Sequence, residues 1–432
     1  MNKVKALWAA VRDSFWAVPS LIVLASVGLA IAAIELEPWI EKGALEAWPR
    51  LFGAGADGAR GMLSAIATSM ITVAGVVFSI TIVALSLASS QYSSRVLRNF
   101  IRDRVNQVVL GVFLGIFAYC LVVLRTIRGG DVGPFVPGLA VLGAVVLAFV
   151  GIGVLILFIH HIGTSIQASH IIALVSDDTA RVIEQLFPEG AGEPASELPD
   201  EARFATPQPL LSQTTGYIQR VELEELLTWA REQQRVVRLE RGVGEFVIEG
   251  TPLAALLDAR SIDETTVAAV NRAFTIDRQR TVDQDAGYGI RQLVDVALKG
   301  LSPGVNDVTT AIMCANHLTA ILARLGARHL AWPARGASGR VWVIARRPGY
   351  ADFLAEAFDQ IRQNAEGNVA MLRHLVRCFA TLGQVTLPAE RRGALHAQLE
   401  AVIEVIGRTV NSPVERQVLG REAAEVAAKL ST

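Results

Sequence analysis

Polar side chains with the types and spacing of a binding site are concentrated between residues 280 and 310. On a helix opened by a capping box at Thr281, four of them share one face, and Arg291 and Asp295 stand four residues apart, as in a helical ion pair. Two more follow in the next loop, where either can cap the next helix. The candidate ligand or regulatory residues are Gln284, Tyr288, Arg291, Asp295, Asn306 and Asp307.

The same residues also have a purely structural interpretation. Helix capping alone explains Thr281, Ser302 and Asn306, so the group can be a hydrogen-bond network that fixes the corner between two helices. The sequence favours this interpretation and leaves the ligand site as its alternative.

Motifs of known enzyme chemistry are missing from the sequence. It has no P-loop, no GxSxG and no HExxH, and its three cysteines, Cys120, Cys314 and Cys378, are far apart. No two histidines are spaced as a helical metal pair. We therefore expect no enzymatic activity, no catalytic residue, no metal and no cofactor. A formal net charge of −1 gives no reason to expect nucleic acid as a partner.

A second polar pattern lies inside an apolar segment. Residues 61–94 contain no Asp, Glu, Lys, Arg or His, yet small and hydroxyl residues recur there at steps of three and four, which places them on one face of a helix. Such a face can line a pore with uncharged, wettable walls, or it can pack closely against another membrane helix. The members of this stripe are Thr68, Thr72, Gly75, Ser79, Ser86 and Ser89.

Arginines follow the stripe directly. Arg95, Arg98 and Arg102 share a helical face by their spacing. They are either ordinary cytoplasmic charges that contact lipid headgroups, or the positive mouth of a pore, where they would concentrate anions.

Four segments are long and apolar enough to carry these groups across a bilayer. The Lys and Arg residues of the N-terminus and of the loop after the second span predict that both termini are cytoplasmic. A GxxxG pattern in the third span, Gly111 to Gly115, is a further helix-packing signal. The predicted spans are about Ala17–Ile34, Gly61–Ala88, Val108–Leu124 and Val136–Ile159.

The remaining sequence has a soluble composition and alternates strand and helix patterns. We expect an α-helical membrane protein with four transmembrane helices, followed by a mixed α/β cytoplasmic domain. Residues 244–253 are predicted to form a strand, a turn and a strand, and they resemble half of a barrel-sandwich hybrid, the fold of biotinyl and lipoyl carriers. The unit contains no lysine to which such a swinging cofactor could be attached. The expected divisions are a transmembrane domain at 1–175, a helix end and Pro/Glu-rich linker at 176–213, the small β-rich unit at 214–260 and a mainly helical domain at 261–432.

Two long motifs, residues 80–103 and 280–311, together with the FIHHI sequence at 158–162, resemble a family of predicted bacterial membrane proteins known only as a domain of unknown function. The resemblance implies a bacterial inner-membrane location and supplies no activity, substrate or catalytic residue.

Two functions remain open at this point. The first is a homo-oligomeric channel or pore-like protein, with the stripe at its axis, ions or small anions as the permeating species and the cytoplasmic domain as its assembly or gating device. The second is a membrane-anchored sensor or scaffold whose cytoplasmic domain binds a ligand or protein partner.

Overall fold

The computed structural model divides the chain into two compact units, Met1–His170 and Ile171–Thr432. The structure describes residues 16–37, 55–91, 104–128, 135–165, 167–187, 206–258, 260–328, 330, 334–337, 340–385 and 387–431.

The first unit contains the four long apolar helices that the sequence predicts. The first three contain their predicted spans and extend beyond them, while the fourth begins at Gly138, two residues later than predicted, and continues to Ser165. The extensions arise because residues that flank an apolar core also take helical conformation. These helices are α1 (Ala17–Leu36), α2 (Ala56–Gln91), α3 (Arg104–Thr126) and α4 (Gly138–Ser165).

The third of these helices, α3, is the most buried of the four and contacts the other three. Its buried residues include Phe113, Ile116 and Tyr119. The glycines of its GxxxG pattern lie against α1: a Cβ on Gly111 would be 2.9 Å from the Cα of Pro19. This small-residue pattern is therefore used for close helix packing within one protomer.

The ends of the helices are joined by polar contacts. The carboxylate of Glu37, which follows α1, accepts hydrogen bonds of 2.8 Å from the backbone amides of Gly138 and Leu139 at the start of α4. Arg60 near the start of α2 donates to the carbonyl of Ile127 just beyond α3. Backbone groups that α3 and α4 leave unpaired at their ends are thereby satisfied.

The fourth apolar helix ends earlier than the sequence pattern suggests. Helix α4 ends at Ser165, and a separate helix, α5 (Ala168–Leu186), follows. The apolar and amphipathic patterns continue through this junction, which explains why the sequence gives no sign of the break.

The second unit combines two small sheets with helices. One sheet has the order β1-β5-β3-β8-β7 and the other the order β4-β2-β6. All strand pairs are antiparallel except β3 with β8. The strands are β1 (Gln208–Leu211), β2 (Gly216–Val221), β3 (Val237–Leu239), β4 (Phe246–Val247), β5 (Pro252–Leu256), β6 (Phe274–Asp277), β7 (Ala334–Ala337) and β8 (Arg340–Ile344).

Strands β4 and β5, which the sequence presents as a strand-turn-strand, do not pair with each other among the described residues. β4 pairs with β2 in one sheet, and β5 lies between β1 and β3 in the other. The turn between them therefore joins the two sheets. The remaining helices are α6 (Leu223–Glu232), α7 (Glu264–Arg272), α8 (Ala286–Leu301), α9 (Val308–Gly326), α10 (Tyr350–Asn364), α11 (Val369–Gly383), α12 (Ala389–Thr409) and α13 (Pro413–Ser431).

A fifth helix is long and apolar enough to span a membrane by length and composition, where the sequence analysis expected four such helices. This helix is α9, and half of its most apolar window is buried. It contacts α8, α10 and α11 in the second unit. Its apolar residues include Cys314, Leu318 and Leu322, all fully buried.

Candidate functional site

The stripe of α2 is on the outer side of the first unit. Thr68, Thr72, Gly75, Ser79 and Ser86 are all exposed. A Cβ added to Gly75 would meet no atom within 4 Å, in contrast to one on Gly111. Among the described residues, the stripe therefore takes no part in packing the protomer.

The residues of α2 that do pack within the protomer form a different face. They are all apolar, half of them alanine, and they recur at steps of three and four like the stripe. At 100° per residue, this face lies well away from the stripe on the helix. Its members are Ala59, Leu63, Ala67, Met70, Ala74 and Val77.

The continuation of the stripe toward the arginines is only partly described. Ser89 falls within the last turns of α2. Arg95, Arg98 and Arg102 lie outside the described residues. Within the stripe, the Thr72 hydroxyl donates to the carbonyl of Thr68 at 2.8 Å, so that this side chain is satisfied by its own helix.

The helix of the polar segment, residues 280–310, starts at a different residue from the one that the sequence predicts. Helix α8 starts at Ala286, with Asp285 as its N-cap accepting from the Tyr288 amide at 2.9 Å. The capping box at Thr281 is thus wrong. The Thr281 hydroxyl is buried without a hydrogen-bond partner among the described residues. The helix begins five residues after Thr281, and Asp285, directly before it, places its carboxylate at the amides of the first turn.

The two candidate site residues nearest the start of α8, Gln284 and Tyr288, both contact other residues of the second unit. Gln284 precedes the helix and accepts from the Val221 amide of β2 at 3.1 Å. The Tyr288 ring lies under the guanidinium of Arg280, 5.1 Å from its centroid. Arg280 in turn contacts Asp285, at 3.0 Å through Nε and 2.7 Å through Nη2.

Further along α8, the predicted pair of Arg291 and Asp295 is present, with Arg291 Nε 3.0 Å from the carboxylate. The same guanidinium donates to Gln360 at 2.9 Å and lies 3.6 Å from the Glu356 carboxylate, both on α10. Arg291 thus ties α8 to α10. This is the geometry of a helix-packing network.

The last two candidate residues lie at the other end of α8. Asp307 caps α9: its carboxylate accepts from the Thr310 hydroxyl at 2.6 Å and from the Thr310 amide at 3.0 Å, and these hydrogen bonds lower the pKa of the carboxyl. Asn306 has a φ of 50°, in the left-handed region that asparagine tolerates. Since the 16 residues of α8 span about 24 Å, Asn306 and Asp307 are a helix length away from Gln284.

A pocket of about 70 Å³ adjoins the start of α8. Strands β3 and β8 are parallel neighbours, and the segments that follow their carboxyl ends, residues 242–243 and 345–348, both line it. The lining includes Arg346 and Arg347 among largely apolar walls. The apolar members include Leu186, Phe187, Val221, Leu223, Leu239, Val243 and Phe353.

Sequence reasoning found Gln284 at this pocket and missed the rest of its lining. The walls come from segments as far apart in sequence as Leu186 and Phe353, and no local spacing pattern brings them together. One residue visible in the sequence does point here, the glycine at position 244. Its φ of 87° suits glycine, and a Cβ there would run into the Asp285 carboxylate and lie 2.8 Å from Arg280.

The electrostatics of the pocket are dominated by arginine. Burial raises the pKa of the Asp285 carboxyl above its ordinary value, against the opposing effect of Arg280. Arg346 lies 3.5 Å from the Glu245 carboxylate, and Arg241 lies 3.3 Å from the same side chain. Arg347 donates to the Leu186 carbonyl at 3.2 Å and covers the Phe187 ring. Asp285, Arg346 and Arg347 thus line the pocket itself, while Arg280, Glu245 and Arg241 contact the lining residues or one another around it.

No cluster of three or more His, Cys, Asp or Glu side chains suited to a metal ion occurs within the described ranges. The three cysteines are buried free thiols, and burial raises the pKa of Cys314 to about 12 and that of Cys378 to about 11. These two thiols are therefore poor nucleophiles.

Comparison with known proteins gives one family and several relatives. The family model described as "Predicted membrane protein (DUF2254)" matches residues 12–381. The uncharacterized protein Rv1290c of Mycobacterium tuberculosis strain H37Rv is 33% identical over 435 residues, covering 98% of this chain and 82% of the relative. The uncharacterized protein Mb1321c of Mycobacterium bovis is similar to the same extent. No solved structure matches the chain.

Proposed function

The chain belongs to the DUF2254 family of predicted membrane proteins, and we propose that it works as a homo-oligomeric, channel-like protein of the bacterial inner membrane. In this proposal, copies of α2 meet through their striped faces around a common axis. The second unit assembles or gates the oligomer from the cytoplasm. The permeating species are ions or small anions.

The position of the stripe is the single observation that supports this proposal. The chain has two small-residue patterns suited to close helix contact. The one at Gly111 is occupied by α1 within the protomer, whereas the one at Gly75 has open space around it. A second copy of the chain offers the same stripe and so complements it by symmetry.

The chemistry of the stripe suits a pore wall as well as a helix seam. Hydroxyl groups at Thr68, Ser79 and Ser86 present hydrogen-bonding groups without the cost of placing a charge in the membrane. Bonds back to the helix, as made by Thr72, satisfy such groups when water is absent.

We further propose that α1 to α4 cross the bilayer and that α9 does not. Helix α9 packs against three helices of the second unit, with Leu318 and Leu322 fully buried among them. A helix so covered has little apolar surface left for lipid. Four crossings keep the N-terminus and the second unit on one side, which charge placement predicts to be the cytoplasm.

The test uses the full-length protein in lipid. Ser79→Leu on the stripe is compared with Ser69→Leu, the same change at an exposed position of α2 that lies off the stripe. Crosslinking and native mass spectrometry give the oligomeric state, and ion flux from proteoliposomes gives the conductance. We expect an oligomer whose flux falls severalfold in Ser79→Leu and is unchanged in Ser69→Leu. A monomeric wild-type protein, or equal flux in both variants, would refute the proposal.

The alternative function, a membrane-anchored sensor or scaffold, draws support from the pocket at the start of α8. That pocket combines apolar walls with a few charged groups, which is the usual composition of small-molecule sites.

A further inference from the structure

The pocket beside Asp285 has the place and lining of a ligand site. In open α/β sheets, ligands bind beyond the carboxyl ends of parallel strands, where the following loops form a crevice, and β3 and β8 are the one parallel pair among the described strands. The segments after β3 and β8, residues 242–243 and 345–348, form part of this pocket in that way. The first turn of α8 contributes Ala286 and Gly287.

Two arginines, Arg346 and Arg347, and one carboxylate, Asp285, are the charged residues of the pocket lining, and this excess of positive charge favours an anion. Asp285 already accepts from Arg280 and from the Tyr288 amide, so its charge is compensated within the protein. Arg346 is largely exposed and is held by the Glu240 carbonyl at 3.0 Å through Nη1 and by Glu245 at 3.5 Å through Nε. A guanidinium has five donor hydrogens, so these contacts leave Arg346 donors for a ligand.

The walls and the size limit the rest of the ligand. Leu186, Phe187 and Val221 give part of the pocket wall an apolar character that an inorganic ion does not use. A water-sized group needs roughly 10 to 15 Å³ of cavity volume. A pocket of about 70 Å³ therefore holds a ligand of roughly five to seven non-hydrogen atoms.

We propose that this pocket binds a small amphipathic carboxylate, with its charged end at Arg346 and its alkyl portion against the apolar walls. A carboxylate matches the planar, two-pronged donor geometry of a guanidinium. The site would make the second unit responsive to a short-chain organic acid. It rests on the second unit alone and holds whether or not the protein forms an oligomer.

The experiment uses the full-length protein in nanodiscs with butanoate, which has six non-hydrogen atoms. Three other probes define the chemistry: butanamide is the neutral isostere, acetate lacks most of the alkyl chain, and inorganic phosphate is an anion without one. Binding is measured by ligand-observed NMR titration. We expect butanoate to bind at least tenfold more tightly than each of the others.

Variants place the binding in this pocket. Arg346→Gln is expected to weaken butanoate binding roughly tenfold, the effect of one charge-assisted contact. Arg272→Gln, at an exposed arginine of α7 away from the pocket lining, is the matched control and should leave it unchanged. Val243→Phe narrows the pocket and should abolish binding, and a melting temperature equal to that of the wild type would show that the variant is folded.

Several results would overturn the proposal. Butanoate failing to bind at tens of millimolar would do so, and so would butanamide binding as well as butanoate. Phosphate binding more tightly than butanoate would contradict the amphipathic character of the site. Equal affinities in Arg346→Gln and Arg272→Gln would place the ligand elsewhere.

Discussion

Gly111 of α3 lies directly against the backbone of Pro19 in α1, so closely that a Cβ at Gly111 would come within 2.9 Å of the Pro19 Cα. The neighbouring Ile22 side chain would be 2.8 Å away. The contact shows that this glycine is required by helix packing within the first unit.

Replacing Gly111 by leucine should therefore destabilise the protomer. Overpacking a close contact costs about 1 to 3 kcal/mol, and here the obstacle is backbone as well as side chain. Thermal unfolding of the detergent-solubilised protein should show a lower melting temperature. Gly153→Leu on α4, where a Cβ has open space, is the matched control and should leave it unchanged. Equal melting temperatures for the two variants would contradict the helix contact.

The carboxylate of Glu37 provides a second prediction for the first unit. Because it accepts from two amides at the start of α4, Glu37→Ala should cost about 1 to 2 kcal/mol of stability, the typical worth of a helix N-cap. Glu37→Gln should lose less stability than Glu37→Ala, since the amide oxygen of glutamine still accepts a hydrogen bond. Glu35→Ala, two residues earlier and exposed, is the control. Chemical denaturation of the three variants would show whether the cap exists, and equal stabilities for all three would rule it out.

A buried ion pair gives the second unit a pH dependence. Arg235 and Asp258 form two hydrogen bonds, at 2.7 and 2.9 Å, and their side chains are only 7% and 13% exposed. Burial raises the pKa of Asp258, but the hydrogen bonds from Arg235 and from the Arg260 amide outweigh it, and the net pKa is below its ordinary value. The carboxylate therefore stabilises the fold above its unfolded pKa of about 4, and this contribution is lost as the pH falls through the lower folded pKa.

Asp258→Asn should remove this acid-sensitive component. At neutral pH it leaves Arg235 buried without its counterion, a change that costs about 3 to 5 kcal/mol. Glu240→Gln, which breaks the more exposed pair with Arg238, should cost less than about 1 kcal/mol. Denaturant titrations between pH 3 and 7 would test both points. A wild-type protein and an Asp258→Asn variant with parallel stability profiles would contradict the assignment.

Helix α8 packs against α5 at Gly289, which faces Thr179 so closely that even a methyl group would overlap the threonine side chain. Gly289→Ala should lower the unfolding free energy by about 1 to 3 kcal/mol. Adding Thr179→Ala should recover part of the loss, because it removes the colliding atoms. Gly304→Ala, in open space, is the control. A double variant no more stable than Gly289→Ala alone would show that the strain lies elsewhere.

The elements with strong local signals could be predicted from the sequence. The four apolar helices of the first unit, the Arg291–Asp295 pair and a cap at either Asn306 or Asp307 follow from composition and from spacings of three or four residues, and the structure assigns the cap to Asp307. The start of α8 could not be predicted in this way. Thr281 and Asp285 both carry plausible capping side chains, and the choice depends on Arg280 and Gly244 around Asp285.

Of the two candidate sites, the stripe on α2 could be predicted from the sequence and the pocket at α8 could not. The stripe on α2 is visible in the sequence, because it depends only on helical period. That it faces outward depends on which surface α3 covers. The pocket depends on strands β3 and β8 pairing across about a hundred residues, and no pattern within either strand specifies its partner.

That pairing also sets an order of events during synthesis of the chain. β3 lies in the middle of its sheet, and one of its two edges is filled only by β8. Until residue 344 has been made, Val237 to Leu239 lack this neighbour and the sheet keeps an open edge. Closing it requires a loop of about a hundred residues, and contacts so distant in sequence form slowly. The second unit is therefore expected to mature late, after translation has passed β8, while the helices of the first unit need no such delay.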